Sequence, residues 1–281
     1  MNPTTAEEDA YARIAKWMKE ALAEGLDGVE PPDIEPGSSL AKDDELTPGL
    51  RASELAWIGI SAAREHLYAA ALIWYSHPNG VTMPTAYGTL LRTAAIGASN
   101  AYWILKPHNR DERLGRVFAL AEENFKHAND MIEEALETAN AMGFADAKVM
   151  RREREKAARW VEYRESAKRR RIARGNSSKF VQTRVIRWAG SQLLTDDASN
   201  GGNYALIWRF SSADAHALSW QRMIRGGASG ALAAAPSRRD GTKLMRDTQS
   251  TDDLLLLLET AKLTNIHALA LYEQRRRAPD S

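Results

Sequence analysis

The sequence predicts an all-α protein, a multi-helix bundle with long helices. Three observations support this prediction. Apolar residues recur at helical spacing along most of the chain. No segment shows the alternation of apolar and polar residues that is typical of a strand. The Pro- and Gly-rich breaks fall between the helical patterns, so even Asn79-Gly80, a common hairpin dipeptide, is interpreted as a helix–helix turn.

The first 49 residues are predicted to form an acidic N-terminal helix and a linker. Residues 5–24 carry Tyr11, Ile14, Met18 and Leu22 at helical spacing, and Gly25 follows them. Residues 25–49 are rich in Pro, Gly and acidic side chains, so we expect little regular structure there.

The remaining residues, 50–281, are predicted to form one helical bundle domain. The breaks at His77 to Gly80, Pro107, Gly143 and Gly175 delimit four long helices over residues 50–76, 84–105, 109–142 and 144–174. Ser177 and Ser178 are expected to cap a fifth helix that reaches Leu194. A loop over 195–203, a helix over 204–225, a Gly/Ala-rich linker over 226–250 and a last helix over 251–277 complete the domain, whose core is expected within 50–225.

The composition limits the class of protein. Apolar residues make up 44% and charged residues 27% of the 281 residues, as in soluble globular proteins. The net charge of +1 argues against a basic nucleic-acid coat or an acidic tail. The absence of cysteine excludes disulfides, zinc–thiolate sites and cysteine nucleophiles. Without a signal-like N-terminus or an apolar run of membrane-spanning length, the expectation is a cytoplasmic protein with no membrane partner.

The charges are unevenly distributed along the chain. Residues 1–50 contain twelve Asp or Glu against four Lys or Arg, whereas residues 151–187 contain fourteen Lys or Arg against four Glu. The less balanced cations of the basic region are candidate nucleic-acid contacts: Lys168, Arg169, Arg170, Arg171, Arg174, Lys179, Arg184 and Arg187. Alternatively they pair with the acidic N-terminal segment, within or between chains, or only solubilise the helix. The acidic segment is also a candidate surface for a protein partner.

Arg209 and His216 form the most informative pair. They lie seven residues apart in a helical pattern, which places both side chains on one face. Arginine binds phosphate through a planar fork of donors, and histidine transfers protons near neutral pH. Such a pair is able to cleave a phosphodiester, with Ser212 and Asp214 orienting the histidine or the substrate. The alternative is an ordinary polar pair, which either satisfies neighbouring groups inside the bundle or lies on a solvated face.

The segment WRFSSADAH, which contains this pair, resembles the motif of the HEPN superfamily, in which Arg is followed by an apolar residue, four to six further residues and His. The resemblance implies a helical bundle, a homodimer with two Arg/His sets facing one cleft, and metal-independent ribonuclease activity with Arg209 and His216 as the catalytic pair. Other members of that superfamily only bind nucleotides or partners.

A second resemblance covers roughly residues 50–225. LLRTAAIGASNAYWILKP, RDERLGRVFAL and the region around His216 are similar to a group of uncharacterised actinobacterial helical proteins. The matching positions are Arg92, Trp103, Pro107, Arg113, Arg116, Ser212 and His216. The chain departs from the pattern at Ile96, where a Glu partner for Arg92 is expected. This resemblance implies the helical fold rather than an activity.

Arg92 and Asn100 are interpreted as structural polar residues, because they lie eight residues apart in an apolar helix. A buried arginine needs a partner, for which Glu54 and Glu65 are candidates. A contribution of Arg92 to a phosphate pocket remains the alternative.

No metal or cofactor site is predicted. Glu123 and His127 are spaced Glu-x3-His without a second copy, whereas a di-iron bundle needs repeated Glu-x2-His. The phosphate-loop, dinucleotide and nucleophile-elbow motifs do not occur. The sequence therefore leaves two hypotheses: an RNA-cleaving or RNA-binding HEPN-like protein, and a non-enzymatic helical interaction protein in which Arg209 and His216 are structural.

Overall fold

A computed structural model describes residues 5–26, 30–47, 49–76, 84–143, 146–176, 179–193, 200–216 and 251–279. Within these residues all regular structure is helical, which confirms the all-α prediction. The helices are α1 (Thr5–Glu24), α2 (Ser39–Leu46), α3 (Ala52–Ser76), α4 (Pro84–Leu105), α5 (Arg110–Ala141), α6 (Ala147–Ala173), α7 (Gln182–Leu193), α8 (Asn200–Ala215) and α9 (Thr251–Arg276).

The predicted helix ends of α1 and α3 to α5 agree with the structure to within about two residues. Helix α7 begins at Gln182, later than predicted, and α8 begins at Asn200, inside the predicted loop. The predicted caps Ser177 and Ser178, most of the remaining loop and the predicted 226–250 linker lie outside the described residues.

The expectation of an irregular linker over 25–49 is wrong, because it contains α2. Ser38 caps this helix by accepting a hydrogen bond from the Ala41 amide at 3.1 Å. Leu40 and Asp43 are fully buried. Asp43 accepts hydrogen bonds from Arg113 Nε at 2.5 Å and Arg110 Nε at 3.1 Å. An eight-residue helix is too short to be stable alone, so these tertiary ion pairs explain why the local sequence did not reveal it.

The chain divides into two compact units, each built from separated segments. The first unit contains Met1–Pro32, Ile58–Tyr102 and Gln182–Ala270, and the second contains Asp33–Trp57, Trp103–Val181 and Leu271–Ser281. Helices α3, α4 and α9 therefore contribute residues to both units.

Helix α9 supplies the centre of the first unit. Leu257, Leu258 and Ala261 are completely buried, and so are Thr260 and Thr264, so this helix is enclosed almost all round. The core around it takes Ile14 and Met18 from α1, Leu67 from α3, Leu91 from α4, Ile186 from α7 and Tyr204 from α8. By length and composition α9 is also the one helix within the described part of the chain that could cross a membrane, a test that buried core helices pass equally.

The second unit is dominated by an antiparallel hairpin of α5 and α6. Phe125 packs against Trp160 with ring centroids 5.4 Å apart, and further along the pair Glu122 accepts a hydrogen bond from Arg171 at 3.0 Å. Buried and half-buried positions at spacings of three and four run along both helices, and we call them the seam. They are Phe118, Glu122, Phe125, Asn129, Ile132, Leu136 and Ala139 on α5, and Met150, Glu153, Ala157, Trp160, Arg164, Ala167 and Arg171 on α6. This spacing is that of a two-helix coiled coil.

Candidate functional site

Helix α8 carries the predicted Arg/His pair and packs closely against α7 and α4. A Cβ on Gly201 would lie 2.7 Å from the Arg187 carbonyl oxygen, and one on Gly190 would lie 3.0 Å from the Tyr204 ring. These glycines allow α7 and α8 to approach closely. The face of α8 that carries Tyr204, Trp208 and Ser211 is buried.

Arg209 and His216 lie on the exposed side of α8. Arg209 is in the last two turns, and His216 directly follows the helix, with its backbone N–H donating to the Ser212 carbonyl at 3.2 Å. Both side chains are exposed, and neither has a side-chain hydrogen bond or ion pair within the described residues. The structure therefore does not bury this pair among polar neighbours, as a purely structural role inside the bundle would require.

The residues between Arg209 and His216 have separate roles. The Ser211 hydroxyl is buried and donates to the Ile207 carbonyl at 3.1 Å, so it belongs to the helix. Ser212 is partly exposed and positions His216 through its backbone carbonyl. The side chain of Asp214, predicted to orient the pair, lies outside the described residues.

Arg92 contacts an aromatic ring rather than a carboxylate. Its guanidinium lies 5.3 Å from the centre of the Trp208 ring, and its Nε has no hydrogen-bond partner. The expected pairing with Glu54 or Glu65 is not observed, since the Glu54 carboxylate accepts from the Arg51 amide. Burial lowers the pKa of Arg92, and the cation–π contact compensates for part of the lost hydration.

Asn100 forms a reciprocal amide pair with Gln182, the first residue of α7. The Asn100 Nδ2 donates to Gln182 Oε1 at 3.3 Å, and the Gln182 Nε2 donates back to Asn100 Oδ1 at 3.0 Å. Each side-chain amide satisfies hydrogen-bonding groups of the other, and the pair connects α4 to α7.

The predicted basic surface is divided by the fold. Arg171 is excluded from it, because its side chain is only 2% exposed and forms a salt bridge with Glu122. Arg170 donates to the Leu46 carbonyl at 2.6 Å, and Arg174 is 20% exposed beside Asp111. Lys168 pairs with Glu165 at 3.5 Å. The exposed members of the predicted set are Arg169 and Lys179 in the second unit and Arg184 and Arg187 on α7 in the first.

The acidic N-terminal segment pairs mainly with other cations. Asp43 binds Arg110 and Arg113, and Glu24 forms an ion pair with the buried Lys262. Among the described residues of this segment, Arg170 reaches only a backbone carbonyl, that of Leu46. Within one chain, Asp43 and Glu24 therefore pair with cations outside residues 168–187.

Four of the residues behind the second resemblance, Trp103, Pro107, Arg113 and Arg116, meet at the turn between α4 and α5. Arg113 Nη1 donates to the Pro107 carbonyl at 3.2 Å, and Arg116 Nη1 donates to the Trp103 carbonyl at 2.9 Å. Arg275 Nη2 also reaches the Pro107 carbonyl, at 3.0 Å. These side chains donate hydrogen bonds to carbonyl groups at the end of α4 that have no partner within the helix. The residues of the second resemblance at this turn therefore stabilise the fold.

An open groove beside this turn was not predicted. It has a volume of about 620 Å³ and is lined by Trp103, Asn109, Asp111, Glu112, Arg116, Arg174, Gly175 and Asn176. Arg116 stacks 5.4 Å from the Trp103 ring and pairs with Glu112 at 2.7 Å. Burial lowers the pKa of Arg116, while Glu112 opposes that shift. Two arginines balanced by two carboxylates do not give the positive field that an anion site needs.

Comparison with protein-family models, curated proteins and solved structures finds no match to this chain. Within the described residues no group of His, Asp and Glu is arranged to hold a metal ion, and Glu123 simply pairs with His127 at 3.2 Å. The exposed Arg209/His216 face of α8 is therefore the candidate site, and it is chosen from the chemistry and exposure of its residues alone.

Proposed function

We propose that this protein is a HEPN-like, metal-independent endoribonuclease that acts through Arg209 and His216. One observation supports this proposal above the others: both side chains project into solvent from one face at the end of α8, without partners among the described residues. An arginine and a histidine that stabilise nothing locally are available for a substrate.

The chemistry follows from the two side chains. Neutral His216 accepts the proton of a ribose 2′-hydroxyl, whose oxygen then attacks the adjacent phosphorus. Arg209 binds the phosphate and stabilises the negative charge that develops there. The 5′-oxygen leaves with a proton from a protonated histidine, supplied by the second Arg/His set of a homodimer. The products are a 2′,3′-cyclic phosphate and a 5′-hydroxyl.

The first unit offers further cations for RNA. Arg184 and Arg187 are exposed on α7, which packs against α8. Their charge would attract the RNA backbone without sequence preference. In the non-enzymatic alternative, Arg209 and His216 are either structural inside the bundle or lie on an ordinary solvated face. Their exposure argues against the first of these, and substitution of either residue distinguishes the second from catalysis.

The test uses purified protein and total bacterial RNA in EDTA, with products separated on a denaturing gel. We expect fragments that end in cyclic phosphate with the wild type, and none with Arg209→Ala or His216→Ala. Asn203→Ala, an exposed change on the same helix, is the matched control and should retain activity. Cleavage that persists in both variants, or intact RNA with the wild type, would refute the proposal.

A further inference from the structure

Arg92 of α4 and Trp208 of α8 bring two unpaired hydrogen-bond donors together in the first unit. The Arg92 guanidinium lies 5.3 Å from the centre of the Trp208 ring. Arg92 Nε and Trp208 Nε1 are both buried, and neither has a hydrogen-bond partner in the described part of the chain. A guanidinium and an indole N–H donate hydrogen bonds but do not accept them. This part of the α4–α8 contact therefore has donors for which the described residues supply no acceptor.

No carboxylate of the described residues balances the charge of Arg92. Other arginines that the fold buries pair with a carboxylate, as Arg171 does with Glu122. At Arg92, burial is the one cause of the lowered pKa, and no neighbouring charge opposes it. A half-buried cation without an anion loses hydration without the compensation of an ion pair. Binding of an anionic ligand at Arg92 is therefore favourable.

The terminal nitrogens of Arg92 remain accessible to such a ligand. Nη1 and Nη2 also have no partner among the described residues, but unlike Nε they are not buried. The Nε side of the guanidinium therefore lies within the protein, and the Nη side opens to solvent. Contact with the Trp208 ring restricts the orientation of the guanidinium plane. Donors held in a fixed plane match two oxygens of one phosphate.

This arginine lies beside the proposed catalytic pair. Trp208 directly precedes Arg209 in the sequence. Trp208, Ser212 and His216 follow one another at a spacing of four residues and form one row along α8. The row passes from a buried ring through a half-buried serine to the exposed histidine. Eight helical residues rise about 12 Å, so a strand with one phosphate at His216 reaches Arg92 within a few nucleotides.

We propose that Arg92, held against Trp208, binds a phosphate of the RNA strand a few nucleotides from the phosphate that is cleaved. The inference rests on the proposed function and specifies how its substrate is held. Arg92 contacts the RNA backbone rather than the reacting atoms, so it is a binding residue and not a catalytic one. A phosphate contact positions the strand but reads no base, so the site carries no sequence preference.

Loss of this contact affects substrate binding rather than chemistry. Arg92→Gln removes the charge and the planar fork of donors. Because a contact with a remote phosphate is equally strong in the ground state and the transition state, we expect KM for RNA cleavage to rise about tenfold with kcat unchanged. A role in stability alone would lower the melting temperature and leave KM unchanged.

The direct test measures binding separately from cleavage. The anisotropy of a labelled single-stranded RNA with methylated 2′-hydroxyls, which cannot be cleaved, is recorded over a range of salt concentrations. Each phosphate contact on a single strand contributes about −0.7 to the slope of log K against log salt. The slope of Arg92→Gln should therefore be shallower than that of the wild type by about 0.7. Arg154→Gln, which removes an exposed arginine of α6, is the charge-matched control and should leave the slope unchanged.

A second pair of variants tests Arg92 without replacing it. Ile96 is half-buried one turn after Arg92, where a carboxylate can pair with the guanidinium. Ile96→Glu should therefore compete with phosphate and reduce the slope by the same amount, and addition of Arg92→Gln should cause no further change. Ile96→Gln introduces a side chain of similar size without the charge and should bind RNA like the wild type. Circular dichroism checks that each variant is folded.

The outcomes separate this phosphate site from the proposed ribonuclease activity. A wild-type slope in both Arg92→Gln and Ile96→Glu, or no RNA binding by the wild type, would overturn the inference. RNA binding through Arg92 without cleavage by the wild type would support the phosphate site and refute the ribonuclease proposal. Calorimetry with inorganic phosphate tests the other source of the anion. Phosphate binding that depends on Arg92, with an RNA slope that does not, would assign the site to a free anion and overturn its assignment to RNA.

Discussion

A run of four cations in this chain shows how far residue type alone predicts a role. Lys168, Arg169, Arg170 and Arg171 were predicted together as nucleic-acid contacts, but Arg169 is exposed, Lys168 and Arg170 are half-buried and Arg171 is buried. Successive residues on a helix turn by about 100°, so the four side chains point in different directions. Arg171 occupies a seam position and forms a buried ion pair with Glu122. The coiled-coil register, rather than the charge, determines its role.

This ion pair predicts a large effect of single substitutions. Arg171→Met leaves the carboxylate of Glu122 buried without its partner, which typically costs about 3–5 kcal/mol. We expect Glu122→Leu combined with Arg171→Met to recover part of that loss, because neither charge is then buried, whereas the Asn176 carbonyl still lacks its hydrogen bond from Arg171 Nη1. Urea unfolding of the single and double variants measures both effects.

The control for this experiment is Arg169→Met, two residues away on the exposed side of α6. Its unfolding free energy should differ from the wild type by less than about 0.5 kcal/mol. A double variant less stable than Arg171→Met alone would contradict the interpretation that the loss comes from the unpaired Glu122 carboxylate.

The candidate site was predictable in part. The spacing of Arg209 and His216 predicts a shared face, and α8 has that geometry. Both residues are exposed because α7 and α4 cover the face of α8 that carries Tyr204 and Trp208. There Gly190 of α7 lies against the Tyr204 ring, and Arg92 of α4 lies over the Trp208 ring. Such packing depends on residues distant in sequence, so no local pattern reveals it. The contact of Arg92 with Trp208 was missed for the same reason.

At the scale of the element, the long helices were predicted well because each carries its own apolar periodicity and end signals. Helix α2 was missed because it depends on Asp43 binding Arg110 and Arg113, about 70 residues further along the chain. The coiled-coil seam of α5 and α6 is present in the sequence as a three-and-four repeat. Polar residues within it, such as Glu122 and Asn129, conceal that repeat.

The crossing of α3 and α4 depends on two glycines. A Cβ on Gly59 would lie 2.5 Å from the Gly97 carbonyl oxygen, and a Cβ on Gly97 would lie equally close to the Gly59 carbonyl oxygen. Gly59→Ala or Gly97→Ala forces the backbones apart, and overpacking of this kind costs roughly 1–3 kcal/mol. The melting temperature and the urea midpoint should both fall.

Gly202 provides the matched control for these substitutions. It also lies within a helix, but an added Cβ meets no atom within 4 Å. Gly202→Ala should therefore stabilise the protein, by up to about 1 kcal/mol from helix propensity. Equal effects of alanine at Gly59 and Gly202 would mean that the helices do not cross at this contact.

At the scale of the whole molecule, the two units are interleaved along the chain. The second unit takes α2 with the start of α3, the end of α4 with the α5–α6 hairpin, and the end of α9. Composition shifts reveal boundaries between consecutive segments, whereas assembly of one unit from three separated segments leaves no such mark. This is why the fold class was predictable from the sequence and this division was not.

Buried tyrosines in both units predict a loss of stability at alkaline pH. Burial raises the pKa of Tyr87, in the first unit, and that of Tyr272, in the second, to about 12 each. An unfolded tyrosine has a pKa near 10. Between these values the folded chain retains protons that the unfolded chain releases, so rising pH favours unfolding. Below about pH 10 both states are protonated, and the tyrosines exert no pH dependence.

We expect the urea midpoint to fall between about pH 10 and 12, with absorbance at 295 nm reporting tyrosine ionisation in the same transition. Tyr87→Phe removes one of these protons, so its midpoint should fall less steeply with pH than that of the wild type. Tyr75→Phe changes an exposed ring and is the control. Lysine side chains of the unfolded chain also titrate in this range, but both tyrosine variants retain every lysine. A Tyr87→Phe slope equal to that of the control would show that Tyr87 ionises without unfolding of the chain.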